Sequence, residues 1–187
     1  LDIDKIHSMV GFATEGITGV SASHVEMNSG LQFFDGISTD DIQQILIKSA
    51  NDLISLESPN YQYVAARLLL FSLRKSLHHR LWEHPKFITH IKKLVDLGLY
   101  DKGILDNYTE AEIDRMGMWI DHERDYSFTY AGLRQVMDKY LVQDRSTGEI
   151  FETPQFMYMM ISATLFAKYP KESRLQLSLI HISEPTR

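Results

Sequence analysis

The sequence contains no cysteine among its 187 residues. This count excludes a disulfide framework, a zinc–thiolate site and an iron–sulfur cluster within these residues, together with any thiol or thiyl chemistry. Long apolar runs are missing as well, because the longest, residues 156–167, is shorter than the roughly 20 residues that span a bilayer and contains Ser162 and Thr164. No secretory signal opens the sequence. We therefore expect a cytoplasmic protein that does not enter a membrane.

An excess of positive charge is also missing. The formal net charge is -6 and the isoelectric point is about 5.7, whereas domains that bind nucleic acid usually display a clustered basic face. We expect no nucleic-acid partner. Any polyanion that the protein binds must be small and held by a few local cations.

Apolar residues at helical spacing, with capping residues before them, predict a mainly α fold. The predicted helices start near Asp4 and near Ser38, then cover Tyr61 to about Leu81, 87–98, 109–120, 128–140 and 155–169. Residues 25–33 show a weak period-two pattern and are predicted to be extended or irregular. A Ser-Thr-Gly turn between two β-prone runs predicts one short β-hairpin near 140–152. A proline turn at Pro85 is the predicted boundary between two helical domains.

Two polar clusters favour structural interpretations. His78, His79, His84 and His90 lie close in sequence but lack the spacing of a metal-binding motif, so we expect solvated histidines at helix ends and no metal site. The run from Asp121 to Asp125 lies between helices, where charged residues cap helix ends and pair with one another. No phosphate-binding glycine motif and no nucleophile motif is found. We assign no catalytic residue.

The apolar helix that begins at Tyr61 ends on two adjacent cations, Arg74 and Lys75. A cation at a helix C-terminus contributes about 0.3–1 kcal/mol by facing the partial negative charge there, which accounts for one of the two without any ligand. Alternatively, Lys75 and Lys5 bind phosphates as point charges if their helices converge, while Thr39 offers a hydroxyl at a helix start. From the residues alone, this is one possibility among many.

The segments LDIDKIHSMVGFATEGI, DGISTDDIQQILIKSANDLIS and SPNYQYVAARLLLFSLRK resemble the ATP-cone, a small regulatory nucleotide-binding module. The later stretch from IDHERDYSFTY to KESRLQ resembles the N-terminal helical region of the large (α) subunit of aerobic, class I ribonucleotide reductase. The resemblance is continuous from Leu1 to about Gln176. It implies an ATP-cone over 1–80 that lacks its N-terminal hairpin and a helical domain over 81–176. After Gln176 the sequence departs from the family, so we expect a non-native tail over 177–187.

The resemblance also implies a set of positions that contact the effector, ATP or dATP: Leu1, Asp2, Lys5, Ile6, Thr39, Ile42, Gln43 and Lys75. Lys75 matches a lysine that contacts phosphate, while Leu1, Ile6 and Ile42 match the apolar lining around adenine. Related subunits often carry Asn at the position of Asp2 and can carry His at the position of Gln43. A carboxylate accepts from the adenine amino group but cannot donate to a ring nitrogen, so both differences bear on nucleotide discrimination.

For the parent enzyme, the resemblance implies an oxidoreductase that makes deoxyribonucleotides for DNA synthesis from ribonucleoside diphosphates by a cysteine thiyl radical. ATP activates, and dATP inhibits by promoting an assembly. The implied partners are the reductase small (β) subunit and other large subunits, in a homodimer or larger ring. Without cysteine, this fragment alone is expected to be inactive. Without the basic hairpin of the cone, it is expected to bind ATP weakly or unmeasurably, since each charge-assisted contact contributes roughly 1.5–3 kcal/mol.

Other interpretations remain open at this point. Cone modules also occur in a transcriptional repressor of reductase genes, but that protein carries a zinc ribbon with paired cysteines. An anaerobic glycyl-radical reductase also begins with a cone, although the residues after Pro85 fit the aerobic type better. A purely structural, non-catalytic helical interaction module is the simplest alternative.

Overall fold

The computed structural model describes residues 2–30, 32–79 and 82–183, so Leu1 lies outside the described residues. The predicted mainly α fold is confirmed. None of the helices in this part of the chain combines the length and the apolarity needed to cross a membrane. The α-helices are α1 (Ile3–Thr14), α2 (Ala22–Gly30), α3 (Thr39–Asp52), α4 (Tyr61–His78), α5 (Phe87–Asp96), α6 (Gly103–Asn107), α7 (Glu110–Met118), α8 (Tyr130–Lys139), α9 (Pro154–Phe166) and α10 (Lys171–Ser183), with a 3-10 helix at His122–Ser127.

The chain folds into two compact units. The first comprises residues 1–76 and 125–139, and the second comprises residues 77–124 and 140–187. The first unit therefore contains α1 to α4 together with α8, although α8 follows the predicted boundary at Pro85. The division into domains between residues 80 and 81 stays a prediction. In the structure, residues 125–139 pack with the first unit.

Helix α4 forms the centre of the first unit. Its buried side chains include Val64, Leu68 and Leu70, none of which is exposed, and Phe71, which is 1% exposed. A helix that is apolar on most of its circumference is normally surrounded by other elements. The helix ends at His78, where the predicted helix continued to about Leu81, because His79 adopts a left-handed backbone conformation with φ of 58°. Leu81 lies outside the described residues.

Helix α2 corrects the prediction of an extended or irregular segment over 25–33 for residues 25–30, whereas Gln32 and Phe33 lie outside the helix. Residues Ala22–Gly30 are helical, with Val25 and Ser29 buried. These two residues are one helical turn apart on the same face, and Asn28 Nδ2 donates to the Ser49 carbonyl of α3 at 3.2 Å. The segment has weak intrinsic helix propensity, so its packing on α3 decides its conformation.

The second unit is built around α5, α7 and α9. Its core contains twelve buried residues: Phe87, Ile88, Ile91, Leu94, Tyr100, Ile104, Tyr108, Ile113, Met116, Phe156, Met159 and Ala163. Aromatic side chains contribute much of this core, and Phe87 packs on Phe156 with ring centroids 5.4 Å apart. In the Met-rich segment of α9, Phe156, Met157 and Met159 are buried.

The predicted hairpin near 140–152 is reduced to a single antiparallel bridge between Gln143 and Ile150 in the described residues. The turn itself forms, since Gly148 N donates to Asp144 O at 2.7 Å and Gly148 has φ of 76°. The ladder stops early for a physical reason: the backbone amide of Val142 donates to the Glu152 carboxylate at 2.8 Å. The Glu152 side chain therefore accepts from a backbone amide next to the bridge, and that amide does not donate to the opposite strand.

Helix α10 continues to Ser183, through most of the segment predicted to be a non-native tail over 177–187. Residues 184–187 lie outside the described residues, and the origin of the tail stays a prediction.

A capping box forms at the start of α7. Thr109 Oγ1 accepts from the Glu112 amide at 3.3 Å, while the Glu112 carboxylate accepts from the Thr109 amide at 2.9 Å. We expect Thr109→Ala to lower the free energy of unfolding by about 1 kcal/mol, because it leaves a helix N-terminal amide without its acceptor. Urea unfolding checks this value, with Thr89→Ala, an exposed change within α5, as the control. Equal stability of the two variants would contradict the prediction.

Candidate functional site

Helix α4 holds the end of α1 in the first unit. The Arg67 guanidinium donates through Nη1 to the Glu15 carbonyl at 2.6 Å and lies 3.4 Å from the Ala13 carbonyl. Carbonyls at a helix C-terminus have no partner within their own helix, and a guanidinium supplies charged donors for them. Arg67 therefore fixes the position of α1 on α4.

Helix α3 is attached to α4 by a buried amide. Gln43 is 5% exposed, and its Nε2 donates to the Leu68 carbonyl at 2.8 Å. Since an unpaired buried amide is costly, this bond fixes the register of α3 against α4. In this arrangement Gln43 acts in packing, and a contact between Gln43 and an effector phosphate stays a prediction.

The N-terminal turn of α1 carries two of the predicted effector contacts. Asp2 is the N-cap of α1, as its position before the helix predicted, and its carboxylate accepts from the Lys5 amide at 3.2 Å. The other carboxylate oxygen lies 3.1 Å from Lys5 Nζ. These contacts with Lys5 hold the pKa of Asp2 below its usual value. Both side chains are exposed, so the pair is accessible to a ligand.

The remaining predicted contacts lie at helix starts or on partly covered faces. Thr39 is exposed at the first position of α3, next to the N-cap Ser38, whose hydroxyl oxygen accepts from the Asp41 amide at 3.0 Å. Ile6 and Ile42 are half-buried. A half-buried apolar side chain can contact a flat base, and an exposed helix N-terminus offers amides to a phosphate.

The two cations at the end of α4 have different environments. Lys75 is exposed, whereas the Arg74 side chain is 2% exposed and lies 3.5 Å from the Asp125 carboxylate. Arg74 Nη1 also donates to the Tyr126 hydroxyl at 3.0 Å. The two adjacent cations therefore have different roles. Arg74 is buried and pairs with Asp125 and Tyr126, whereas Lys75 is exposed at the surface.

Tyr126 links several of these groups. The guanidinium carbons of Arg74 and Arg67 lie 5.0 Å and 5.5 Å from the centre of its ring, and Phe71 contacts the ring edge-on at 6.3 Å. Cations over an aromatic face gain electrostatic stabilisation. Sequence reasoning treated the run from Asp121 to Asp125 as structural, which the Arg74–Asp125 pair supports, but it missed the partner 51 residues away.

A second polar network lies in the second unit, and it corrects the expectation of solvated histidines. His90 is 4% exposed, and its Nε2 lies 3.3 Å from the Tyr100 hydroxyl, which donates in turn to the Glu152 carboxylate. His84 stacks on His122 with ring centroids 3.6 Å apart. No group of three or more His, Asp or Glu side chains able to hold a metal ion is found among the residues that the structure describes.

Burial sets the protonation of this network. It lowers the pKa of His90 to about 3, with smaller electrostatic contributions from His78 and Lys93. Burial also raises the pKa of the Glu152 carboxyl and of the Tyr100 hydroxyl. His90 is therefore neutral in the folded protein at physiological pH. His90, Tyr100 and Glu152 are joined by hydrogen bonds within the core, and we assign them a structural role.

The folded protein is expected to lose stability as the pH falls below about 6.5, the value for histidine in an unfolded chain. Below that pH the unfolded state binds a proton at His90 that the folded state excludes down to about pH 3, so the slope approaches about 1.4 kcal/mol per pH unit. Urea unfolding at several pH values, for the unchanged chain and for His90→Gln, measures this slope. Identical slopes for the two proteins would refute the assignment.

Comparison with known protein families identifies two matching regions. Residues 1–76 match the family model of the ATP cone domain. Residues 126–179 match that of the ribonucleotide reductase all-alpha domain. The first range coincides with the first segment of the first compact unit, and the second begins next to Asp125, where the chain returns to that unit.

Curated relatives cover nearly the whole chain. The chain is 51% identical over 175 residues to the ribonucleoside-diphosphate reductase subunit alpha of Haemophilus influenzae, covering 94% of this chain and 23% of that protein. It is 47% identical over 194 residues to the ribonucleoside-diphosphate reductase 1 subunit alpha of Escherichia coli, covering 100% of this chain and 25% of that protein. The subunit alpha of Helicobacter pylori is 33% identical, with 97% and 22% covered. The chain spans about a quarter of the length of these relatives.

Proposed function

We propose that this chain is part of a ribonucleoside-diphosphate reductase α subunit, to which it is similar along nearly its whole length, and that residues 1–76 form an allosteric site for ATP or dATP within such a subunit. The observation that carries the proposal is that α4 binds both α1 and α3, through Arg67 and Gln43. These are the helices that hold the predicted contacts.

We propose the following roles for the exposed groups. Lys5 and Lys75 bind the triphosphate as mobile point charges, and Thr39 donates its hydroxyl at the start of α3. Ile6 and Ile42 contact the two faces of adenine, together with Leu1, which lies outside the described residues. The amide of Gln43 already donates to α4, so Gln43 holds α3 in place rather than neutralising phosphate.

Asp2 gives the site a preference for adenine over guanine in this proposal. Each of its carboxylate oxygens accepts from Lys5, but a carboxylate has about four acceptor positions and retains capacity for another donor. The adenine amino group is a donor, whereas guanine carries an acceptor oxygen at the same ring position. A guanine base would therefore place two acceptors against each other.

The effector regulates the subunit through differential binding. A nucleotide shifts an equilibrium between two conformations only by the difference between its affinities for them. We propose that the reductase small (β) subunit and other α subunits are the partners whose association ATP and dATP modulate. The reduction of ribonucleoside diphosphates belongs to the complete enzyme, since the 187 residues considered contain no cysteine to form a thiyl radical. The match of residues 126–179 to the all-alpha domain favours this assignment over a stand-alone cone regulator.

Nucleotide-dependent thermal unfolding tests the proposal. A ligand that binds only the folded state stabilises it by RT ln(1 + [L]/Kd), about 1.4 kcal/mol at tenfold excess over Kd. We expect millimolar ATP and dATP to raise the melting temperature of a chain that also carries the basic hairpin of a complete cone, and GTP at the same concentration to raise it less. Equal shifts with ATP, GTP and inorganic triphosphate would indicate binding by charge alone and would overturn the proposed adenine site.

A further inference from the structure

Helix α9 differs from the other helices of its unit because it contains no charged residue along Pro154–Phe166. One face of this helix carries Phe156, Met159 and Ala163 into the core of the second unit. A second face contacts α10, and Ser162 Oγ donates there to the Ser178 carbonyl at 3.3 Å. Most of the remaining circumference of α9 is not covered by these two contacts, although Met157 is also buried.

The third face of α9 is apolar and exposed. Tyr158, Ile161 and Leu165 lie on it at intervals of three and four residues, with exposed fractions of 36%, 44% and 59%. A surface helix normally places charged or polar residues on such a face, and a helix that is apolar all round is normally buried. The exposed face of α9 is therefore more apolar than a face that stays in contact with solvent.

A groove of about 330 Å³ runs along this face. It is lined by Tyr100, Tyr140, Val142, Glu152, Met157, Met160, Ile161, Thr164 and Leu165. The two polar groups at its base, Tyr100 and Glu152, already bind each other, and Glu152 also accepts from the Val142 amide at 2.8 Å. The groove thus presents apolar side chains and satisfied polar groups, which is the environment that an apolar side chain or helix ridge fills.

We propose that the Tyr158–Ile161–Leu165 face of α9 and this groove form the docking surface for an apolar helix from the part of the α subunit that lies outside these residues. From the proposed function, the inference uses only the statement that the chain is part of a longer subunit, and it does not depend on nucleotide binding. Its relatives are about four times as long, since the matched stretch covers 23% and 25% of two of them. The remaining three quarters of such a subunit contain the helix that we expect in the groove.

The chemistry of the surface favours a permanent contact within one polypeptide over a separable partner. Interfaces that form and dissociate contain polar rims and keep charged groups near their edges, whereas permanent ones resemble a domain core. No charged side chain interrupts α9, and the neighbouring Tyr140 is itself 59% exposed. Exposed apolar surface of this kind marks an interaction site.

The test compares two lysine substitutions in a complete α subunit that carries this segment. Leu165→Lys lies on the proposed surface, and Leu97→Lys lies at the end of α5 with a similar exposed fraction, 59% against 56%. We expect Leu165→Lys to lower the melting temperature of the complete subunit by several degrees, or to abolish its soluble expression, while Leu97→Lys leaves both unchanged. In the 187-residue chain alone, neither substitution should change the melting temperature.

Three results would overturn the inference. If both substitutions affect the complete subunit equally, or if Leu165→Lys destabilises the isolated chain as much as the complete subunit, the surface is not a docking site for the rest of the polypeptide. If the isolated chain is a dimer by light scattering and Leu165→Lys makes it monomeric, the occupant is a second copy. These stability measurements are made without nucleotide, so they do not depend on whether residues 1–76 bind ATP. Failure of the docking proposal can therefore be distinguished from failure of the proposed nucleotide site.

Discussion

Replacing Asp125 with alanine is expected to lower the free energy of unfolding by about 3–5 kcal/mol, the largest effect of any single substitution considered. The Arg74 side chain is 2% exposed and that of Asp125 is fully buried. Removing the carboxylate leaves a guanidinium in a low-dielectric environment without its counter-charge. Urea unfolding of the chain measures the effect, and the loss should be the same with or without nucleotide.

Two companion variants make this prediction specific. Asp138→Ala removes an exposed ion pair with Arg134, 3.2 Å apart and about half exposed on both sides, and is expected to cost less than about 0.5 kcal/mol. The double variant Arg74→Met with Asp125→Leu should recover most of the stability, because replacing both buried charges with apolar groups removes the unpaired charge. Comparable losses for Asp125→Ala and Asp138→Ala would refute the role assigned to the buried pair.

The second large effect concerns nucleotide affinity. Lys75→Glu is expected to weaken ATP binding by at least one order of magnitude, since a charge-assisted hydrogen bond contributes roughly 1.5–3 kcal/mol and each 1.4 kcal/mol is a tenfold change in affinity. Lys75 is exposed, so the substitution should leave the free energy of unfolding within about 0.5 kcal/mol of the original. Calorimetric titration is best done in a chain that also carries the basic hairpin of a complete cone.

Lys48→Glu is the matched control for this experiment. Lys48 is also an exposed lysine of the first unit, within α3, and the substitution produces the same change of net charge. If Lys48→Glu and Lys75→Glu weaken ATP binding equally, the effect is a general electrostatic one. If neither changes the affinity, the helical interaction module becomes the better interpretation of these residues.

Local signals predicted the helices well where capping and periodicity agreed. The capping box at Thr109 and Glu112 and the cap at Asp2 are interactions over three residues, which a sequence displays directly. Helix α2 was missed because its conformation depends on contacts with α3, such as the bond from Asn28 to the Ser49 carbonyl. A local pattern cannot indicate a contact between separate elements.

The candidate site shows the same limit. The family resemblance placed Lys5 and Lys75 among the effector contacts, but it did not reveal that Gln43 donates to the Leu68 carbonyl, 25 residues away. It assigned Lys75 to phosphate but gave no role to Arg74, which periodicity places near the end of the same helix. Only the return of residues 125–139 to the first unit supplies the buried carboxylate that distinguishes them.

The central claim is that Lys5 and Lys75 bind the same nucleotide. The most direct measurement is an ATP titration of the isotope-labelled chain, with the NMR signals of both lysine side chains followed up to millimolar ATP, because this method detects weak binding. The proposed site predicts that both signals shift and saturate with one common dissociation constant. A shift of only one lysine, or two different dissociation constants, would contradict a shared site.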